Sequence, residues 1–472
     1  MYYGDKHSSL NSAIPKVDGL LTKASPYFNG DMKNARVVII TSLPTLVARH
    51  GPPVLRGYRI NKKGWNPNIA TQAMYIPDAD WEHDLSGVFD IVTIDEAHQI
   101  KNPDTAAHAT VAWLQASFHV LATASVLPNG INDFDGYMHF VDMNRDLWQN
   151  DNLAKLKVEK SVNLFDLPDN HPAAVLRMTI QAVKTFITGE DANRDNAGFY
   201  LQKVWEKCLI RRTYASKDPK DINLGKAIGE ALPRLQTRRI VCRFHESEQK
   251  TYDKYSELPI RKLAHFLDNG RLVWNKKHAR QLILNSTWLG FHWIGDSIHA
   301  GTIKDWKALP AIMYYWIKLL HKQQEQMLDG GAEFTIPDRE DIPQQLAILL
   351  QGSPKLRHTL RILAELVVLM KRKVVIWCGL PANQLLLLAC CQALHIDCVC
   401  YTSELSHLER TEMVTAFTTH PDSAYVFIGG YNVGSVGLNL QALCNHEIDF
   451  DSAPNKGTQD QATGRLESAL HS

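Results

Sequence analysis

Short apolar runs of strand length alternate with stretches of helical period in two separate parts of this chain. The C-terminal part is the more regular. There Lys373–Cys378, Asp397–Thr402, Tyr425–Ile428 and His446–Phe450 read as strands, and Ala382–Leu394, Ser406–Thr418 and residues from about 459 to 469 read as helices. Strands of near-continuous apolar character, separated by helices, predict a parallel sheet covered on both faces. The N-terminal part holds three strand candidates, Arg36–Thr41 (RVVIIT), Phe89–Ile94 and His119–Thr123, with a helix predicted from about Thr105 to Gln115. Residues 1–34 are polar and aperiodic and are expected to form a disordered or ragged start. Residues 51–87 carry Gly, Pro, Asn and Trp without a period and read as a long connection.

Between these parts, residues 150–232 look mainly helical, and Arg238–Phe244 (RRIVCRF) reads as the opening of a second unit. Residues 245–350 hold Trp274, Trp288, Trp293, Trp306 and Trp316 at spacings that form no repeat. Two readings stand: they pack a helical insertion, or they offer a platform on which bases stack. The expected organisation is a partial α/β lobe over 35–234, a helical bridge with a Trp-rich insertion over 235–352, and a second α/β lobe over 353–472.

The strongest chemical signal is FDIVTIDEAHQIKN at 89–102. An apolar strand ends abruptly in two carboxylates, Asp95 and Glu96. In nucleotide-hydrolysing α/β folds the working acids stand just past the carboxyl end of such a strand. There an Asp can hold a hydrated Mg²⁺ and a neighbouring Glu can polarise the attacking water. The plainer reading is a surface helix start with capping acids.

Composition narrows the class. At 472 residues the chain has room for about two or three domains. The formal net charge of +1 does not announce a polyanion binder. A phosphate-binding surface would have to come from local clusters such as Arg211 with Arg212, or Arg234, Arg238, Arg239 and Arg243, which can equally be solvated faces. The eight cysteines form no CxxC pair, and the 20 histidines form no HExxH, so neither a disulfide framework nor a zinc site is expected. The longest apolar run, Leu385–Cys391, is far too short to span a bilayer, and no secretory signal opens the chain. A soluble intracellular protein is the expectation.

DEAHQIKN resembles the DEAH-box segment of the Swi/Snf-type ATPases, the chromatin-remodelling branch of the superfamily-two helicase-like motors, and other segments agree in order. VVIITSLPTLV (37–47) is similar to the family's TSYETL strand, and LATASVLPNGINDFDGYMHF (121–140) to its TATPxxN…DLxGY segment, with Val126 in place of the usual Pro. CLIRRTYASKD…LPRLQTRRIVCRFHESEQKTYDKY (208–255) resembles the LRRTK…LP…QxxxY bridge through Arg211, Arg212, Pro233, Gln249 and Tyr252. Further on, Arg410 and Phe417 match one helix of the second lobe. NVGSVGLNLQALC (432–444) matches GGxGlNLxxA through Gly434, Gly437, Asn439 and Leu440. Asp451, Asn455, Gln461, Gly464 and Arg465 match DxxWNPxxxxQxxGR.

The resemblance implies two RecA-like parallel-sheet lobes of P-loop NTPase type, the first incomplete, with ATP and Mg²⁺ as cofactors, duplex DNA or a nucleosome as partner, and a nuclear location. Asp95 would hold Mg²⁺ through water, Glu96 would position the hydrolytic water, and Gly437, Gln461 and Arg465 would meet ATP. Thr41, Ser42, Thr123, Arg212 and Asn439 would make DNA or interlobe contacts, though for Thr41 and Ser42 a strand end with hydroxyl caps explains the residues as well. Two departures stand out. The sequence contains no GxxxxGK[ST] phosphate loop, and its nearest Gly-Lys, Gly225-Lys226, has Lys220 and Ala227 at the wrong places. In the family that loop precedes the TSYETL-like strand, so this chain is expected to begin downstream of it and to leave ladder groups and apolar surface of its first sheet unpaired. Ser468 stands where the family's second arginine, its arginine finger, belongs. The implied function is an ATP-dependent DNA translocase or remodeller, or a fragment of one. The alternative is a catalytically dead remnant or a binding scaffold; a DNA-repair or ubiquitin-ligase member of the same branch would need further domains.

Overall fold

The computed structural model describes residues 17, 19–128, 130–141, 162–189, 192–213, 215–217, 227, 230, 235–266, 272–294, 312–434, 438–464 and 466. The chain divides into two compact units, Met1–Arg212 and Thr213–Ser472.

In the first unit β1 (Ile91–Ile94) and β2 (Phe118–Leu121) pair in parallel, Ile91 opposite Phe118 through Ile94 opposite Leu121. Three helices precede them: α1 (Leu43–His50), α2 (Pro52–Asn61) and α3 (Pro67–Gln72). The crossover is α4 (Ala106–Trp113), started by Thr105, whose hydroxyl accepts from the His108 N–H. Then follow α5 (Phe134–Val141) and α6 (Arg194–Cys208). Ile94, Ala97, Ile100, Val111, Phe134 and Met138 form the centre of one apolar cluster that takes in the end of β1, α4, α5 and α6.

Three expectations fail in this unit. Arg36–Thr41 is not a strand: residues 37–42 pair with no strand among the described residues and run from a turn at Asn34–Arg36 into α1, and Val38 is 80% exposed. An apolar run makes a strand only where a neighbour accepts its N–H and C=O groups. Residues 51–87 are not simply a connection, because α2 and α3 occupy much of it. Their prolines sit in the first helical turn, where the missing N–H costs nothing. Nor is the whole of 1–34 ragged: Val17 and Leu21 are buried against Leu85 and Leu114.

The second unit opens with α7 (Glu246–Arg261), a hairpin of β3 (Ala264–Phe266) and β4 (Leu272–Trp274), and α8 (Lys276–Thr287). Next come α9 (Ile312–Met327), α10 (Ile342–Leu350) and α11 (Pro354–Leu363). The β/α series comprises β5 (Val374–Cys378), α12 (Pro381–Ala393), β6 (Cys398–Tyr401), α13 (His407–Thr419), β7 (Val426–Gly430), β8 (Glu447–Asp449) and α14 (Lys456–Gly464). Its strands form one parallel sheet in the order β6-β7-β5-β8.

All of β5 is buried, and its side chains alternate between two cores, as period-two geometry requires. Val374, Ile376 and Cys378 join a cluster built from α8, α9, α11 and α12, whereas Val375 and Trp377 join Phe417, Phe427 and Tyr431 on the other face. Trp288 and Trp316 stack in the first cluster with centroids 6.2 Å apart, so the Trp-rich region shares the sheet's own core.

Two polar anchors fasten this unit. Glu248 on α7 accepts both Arg357 guanidinium contacts (2.7 and 2.8 Å) and the Gly352 N–H. Burial pushes its pKa up, but the Arg357, His245 and Gly352 donors outweigh that and hold the carboxyl at about 2. Lys373, at the head of β5, donates to the carbonyl of Phe417 in the last turn of α13 and to those of His420 and Ser423 just past it, at the cost of a pKa lowered by burial. Arg238–Phe244 lies within irregular chain over 235–245, with Val241 67% exposed, and the β3–β4 hairpin appears where no strand was expected.

Candidate active site

Past the end of β1 the chain turns through Glu96, which has φ 52° and ψ 48°, a left-handed backbone rare for a residue with a side chain. Asp95 steadies the turn by accepting the Glu96 N–H on Oδ1 at 2.9 Å. The ladder also continues past both strand ends, with Ala122 N–H to Ile94 O at 2.9 Å and Ala97 N–H to Ala122 O at 2.8 Å. The turns after β1 and β2 are therefore held side by side. As a result Glu96 Oε2 lies 3.2 Å from His98 Nδ1, and the same nitrogen lies 3.3 Å from Thr123 Oγ1. Thr123 Oγ1 in turn accepts the Ser125 N–H. Asp95 is exposed beside this cluster, and Glu96, His98 and Thr123 are half-buried.

The segment behind the acids is clamped. Ala97 and Ile100 are fully buried, and the Ile100 carbonyl meets His108 Nδ1 of α4 at 2.8 Å. Lys101 pairs with Asp133 at 3.0 Å. Gly136 of α5 lies so close to the Lys101 carbonyl that an added Cβ would overlap it. These contacts let the two carboxylates hold one position, with Asp95 exposed and Glu96 Oε2 buried against His98.

The remaining predicted residues are placed as follows. Ser42 caps α1 by accepting the Thr45 N–H, and Leu43 beside it packs on the cluster that holds Ile94. Thr41 precedes it, half-buried. Arg212 is exposed in irregular chain after α6. In the second unit Asn439 is exposed next to the buried Leu440, and Gln461 is half-buried on α14. Gly437, Arg465 and Ser468 lie outside the described residues. The structure thus brings Asp95, Glu96 and Thr123 together, while Asn439 and Gln461 belong to the other unit.

Three residues of this frame, His98, Lys101 and Gly136, lie inside the matched segments but were not singled out as site residues. In the second unit Asp451, one of the matched residues, is buried: it accepts from the Gly379 N–H (2.9 Å) and Asn383 Nδ2 (2.7 Å) and pairs with Lys355 at 3.3 Å, tying the ends of β5 and β8 to α11 and α12. Beside it the Tyr431 hydroxyl donates to Asp449 Oδ1 at 2.6 Å, and burial together with that carboxylate pushes the phenol pKa far up.

Among the described residues no group of three or more His, Cys, Asp and Glu is placed to enclose a metal ion. The Asp95–Glu96 turn suits a different mode. A hard cation such as Mg²⁺ keeps several waters and needs only one or two protein carboxylates when phosphates supply the rest. An exposed Asp with a half-buried Glu beside it fits that donor set.

The profile of the SNF2-related domain matches residues 23–287, more than half of the chain. The chain belongs to the SNF2-related family. A second profile, the helicase conserved C-terminal domain, matches residues 358–468 of this SNF2-related chain, which takes in the sheet of β5 to β8. No curated protein matches it. Similar solved structures include the C-terminal part of the Fun30 ATPase domain (19% identity, 51% of this chain and 83% of that one, TM-score 0.31). Others are the Sulfolobus solfataricus SWI2/SNF2 ATPase core in complex with dsDNA (17%, 76% and 57%, 0.26) and the Sulfolobus solfataricus SWI2/SNF2 ATPase C-terminal domain (15%, 45% and 70%, 0.25). The SNF2-related chain therefore spans 57% of the length of that archaeal core. The two parallel sheets and the family agree with the expected α/β class. No helix among the described residues is long and apolar enough to cross a membrane.

Proposed function

We propose that this chain is the helicase-like ATPase part of an ATP-dependent DNA translocase of the chromatin-remodelling branch, with the chemistry at the Asp95–Glu96 turn. The observation that carries the reading is that turn: two carboxylates past a parallel strand, one exposed, one held against His98 and Thr123. Asp95 would hold a hydrated Mg²⁺. When bound, that ion supplies positive charge against the phosphates of ATP. Glu96 would take a proton from the attacking water, with His98 keeping its carboxylate in place. Gly437, Gln461 and Arg465 are assigned to the nucleotide, and Thr41, Ser42, Thr123, Arg212 and Asn439 to DNA or to the facing lobe. Duplex DNA or a nucleosome as partner, and the nucleus as location, belong to the same proposal.

These residues include no phosphate-gripping Gly-Lys-Ser/Thr, and position 468 is Ser, so the chain by itself is expected to hydrolyse ATP only at background. The test supplies what is needed. Fused behind a phosphate-loop segment from a relative, the chain should bind Mg²⁺-ATP and turn it over slowly. Glu96→Gln should then lower turnover by about 10²-fold or more with ATP affinity kept. Ser468→Arg should raise kcat far more than it changes that affinity. Turnover indifferent to Glu96→Gln would remove the Asp95–Glu96 turn from the chemistry.

A further inference from the structure

The hairpin of β3 and β4 contributes no residue to the apolar clusters of the second unit. Its register sets Ala264 opposite Trp274 and Phe266 opposite Leu272. Side chains alternate along each strand, so Phe266, Leu272 and Trp274 share one face. That face is open: Phe266 is 73%, Leu272 45% and Trp274 61% exposed. Three large apolar side chains on one small ribbon, two of them aromatic, are costly to leave in water unless something covers them. The other tryptophans of this region with described placement, Trp288, Trp293 and Trp316, join or pack against the core, so Trp274 is set apart.

Charge indicates what covers the face. Residues 261–277 contain five basic side chains (Arg261, Lys262, Arg271, Lys276 and Lys277) against one acid, Asp268, in a chain whose total is only +1. Lys262, Lys276 and Lys277 are exposed, stand together at the open end of the ribbon next to the Ala264–Trp274 pair, and make no ion pair among the described residues. Cations gathered beside exposed aromatic rings match a polyanion that presents flat π faces at regular intervals. A nucleic-acid strand with unpaired bases has that chemistry; a duplex buries the same faces in its own stack.

We propose that the β3–β4 hairpin is a nucleic-acid contact in its own right. Trp274 and Phe266 stack on unpaired bases while Lys262, Lys276 and Lys277, at the open end of the ribbon, meet the phosphates beside them. The inference rests on the reading of this chain as a DNA-dependent protein, and it adds a site for unpaired strand away from the carboxylate turn.

The test uses the whole chain and two fluorescent probes, a deoxythymidine strand of about twenty nucleotides and a duplex of the same length, with binding followed by anisotropy. Trp274→Ala should weaken the single strand at least about fivefold and the duplex less than about twofold, since one stacked base is lost. Trp274→Phe should restore most of the loss. Lys276→Gln with Lys277→Gln should weaken both probes and lower the dependence on salt. The altered positions are exposed, so thermal melting by circular dichroism should not move. Single-strand binding that is unchanged, or that falls equally with the duplex, would overturn stacking at this site while leaving the reading of the carboxylate turn intact. Loss of self-association in Trp274→Ala without change in either DNA would assign the face to a second copy and also overturn it. Binding of neither probe by the unaltered chain would overturn both readings.

Discussion

The four-stranded sheet of the second unit buries every residue of β5, whereas in the first unit β1 and β2 leave Ile91 and Phe118 each 62% exposed. The residue types are alike on the two sides. What differs is company: β5 lies between β7 and β8 with an apolar cluster on each face, while β1 and β2, among the described residues, have only each other. A parallel strand draws its stability from neighbours and from cover on both faces more than from its own composition. The carboxylate turn therefore sits on the thinner of the two sheets, and it is held by the helices behind it, α4 and α5, more than by the ladder.

The comparison can be broken most severely from the second unit. Trp316→Ala should cost about 4 kcal/mol of stability, because a fully buried ring stacked on Trp288 leaves a cavity the helices cannot close. Chemical denaturation followed by fluorescence would show it, and a loss below about 1 kcal/mol would mean that the Trp-rich helices do not share the sheet's core. Next, Glu248→Gln should cost about 3 kcal/mol, since Arg357 would lose its charged partner in a largely closed setting. Its pH dependence follows from the sign of the shift. The carboxyl is held at about 2 against an ordinary 4.5, so its contribution is complete above about pH 4.5 and is lost as pH falls toward 2. Stability of the natural chain should rise with pH across that window, and the variant should be flatter there.

Hydrogen exchange compares the sheets directly. Amides of β5 and β7 should exchange far more slowly than those of β1 and β2. The reverse order would show that the thin sheet is better supported than its exposure implies. The smallest effect should come from Ile91→Thr, which is expected to change stability by no more than about 0.5 kcal/mol, because that side chain is already mostly in water. A loss of 2 kcal/mol there would mean that something covers β1 in solution.

The same contrast explains which parts were legible in the sequence. Val374–Cys378, Cys398–Tyr401 and Val426–Gly430 fall within a residue or two of the expected strands, because a strand buried on both faces needs an apolar run and gets one. RVVIIT has an equally apolar run, yet a strand is a property of a pair, and one segment carries no information about its partner. Helices α2 and α3 were readable in principle: Gly51 or Asn66 followed by Pro is a helix start as well as a loop mark. So was the hairpin, since Asn269-Gly270 between two apolar stretches is a turn signal. At the candidate site Asp95 and Glu96 were visible as an acid pair after a strand. His98 meeting Thr123, and Lys101 meeting Gly136, were not, because 25 and 35 residues separate the partners and nothing local marks them.

The close approach of Gly136 to Lys101 also bears on how variants of this protein should be interpreted. Any other side chain at 136 would push on the backbone that carries the acid turn, although position 136 holds no group that binds or reacts. On the proposed reading, a natural or laboratory variant with a substitution there would look in an activity assay like a lesion in the chemistry. Asp95 and Glu96 would still be present, and the defect would lie in where they stand.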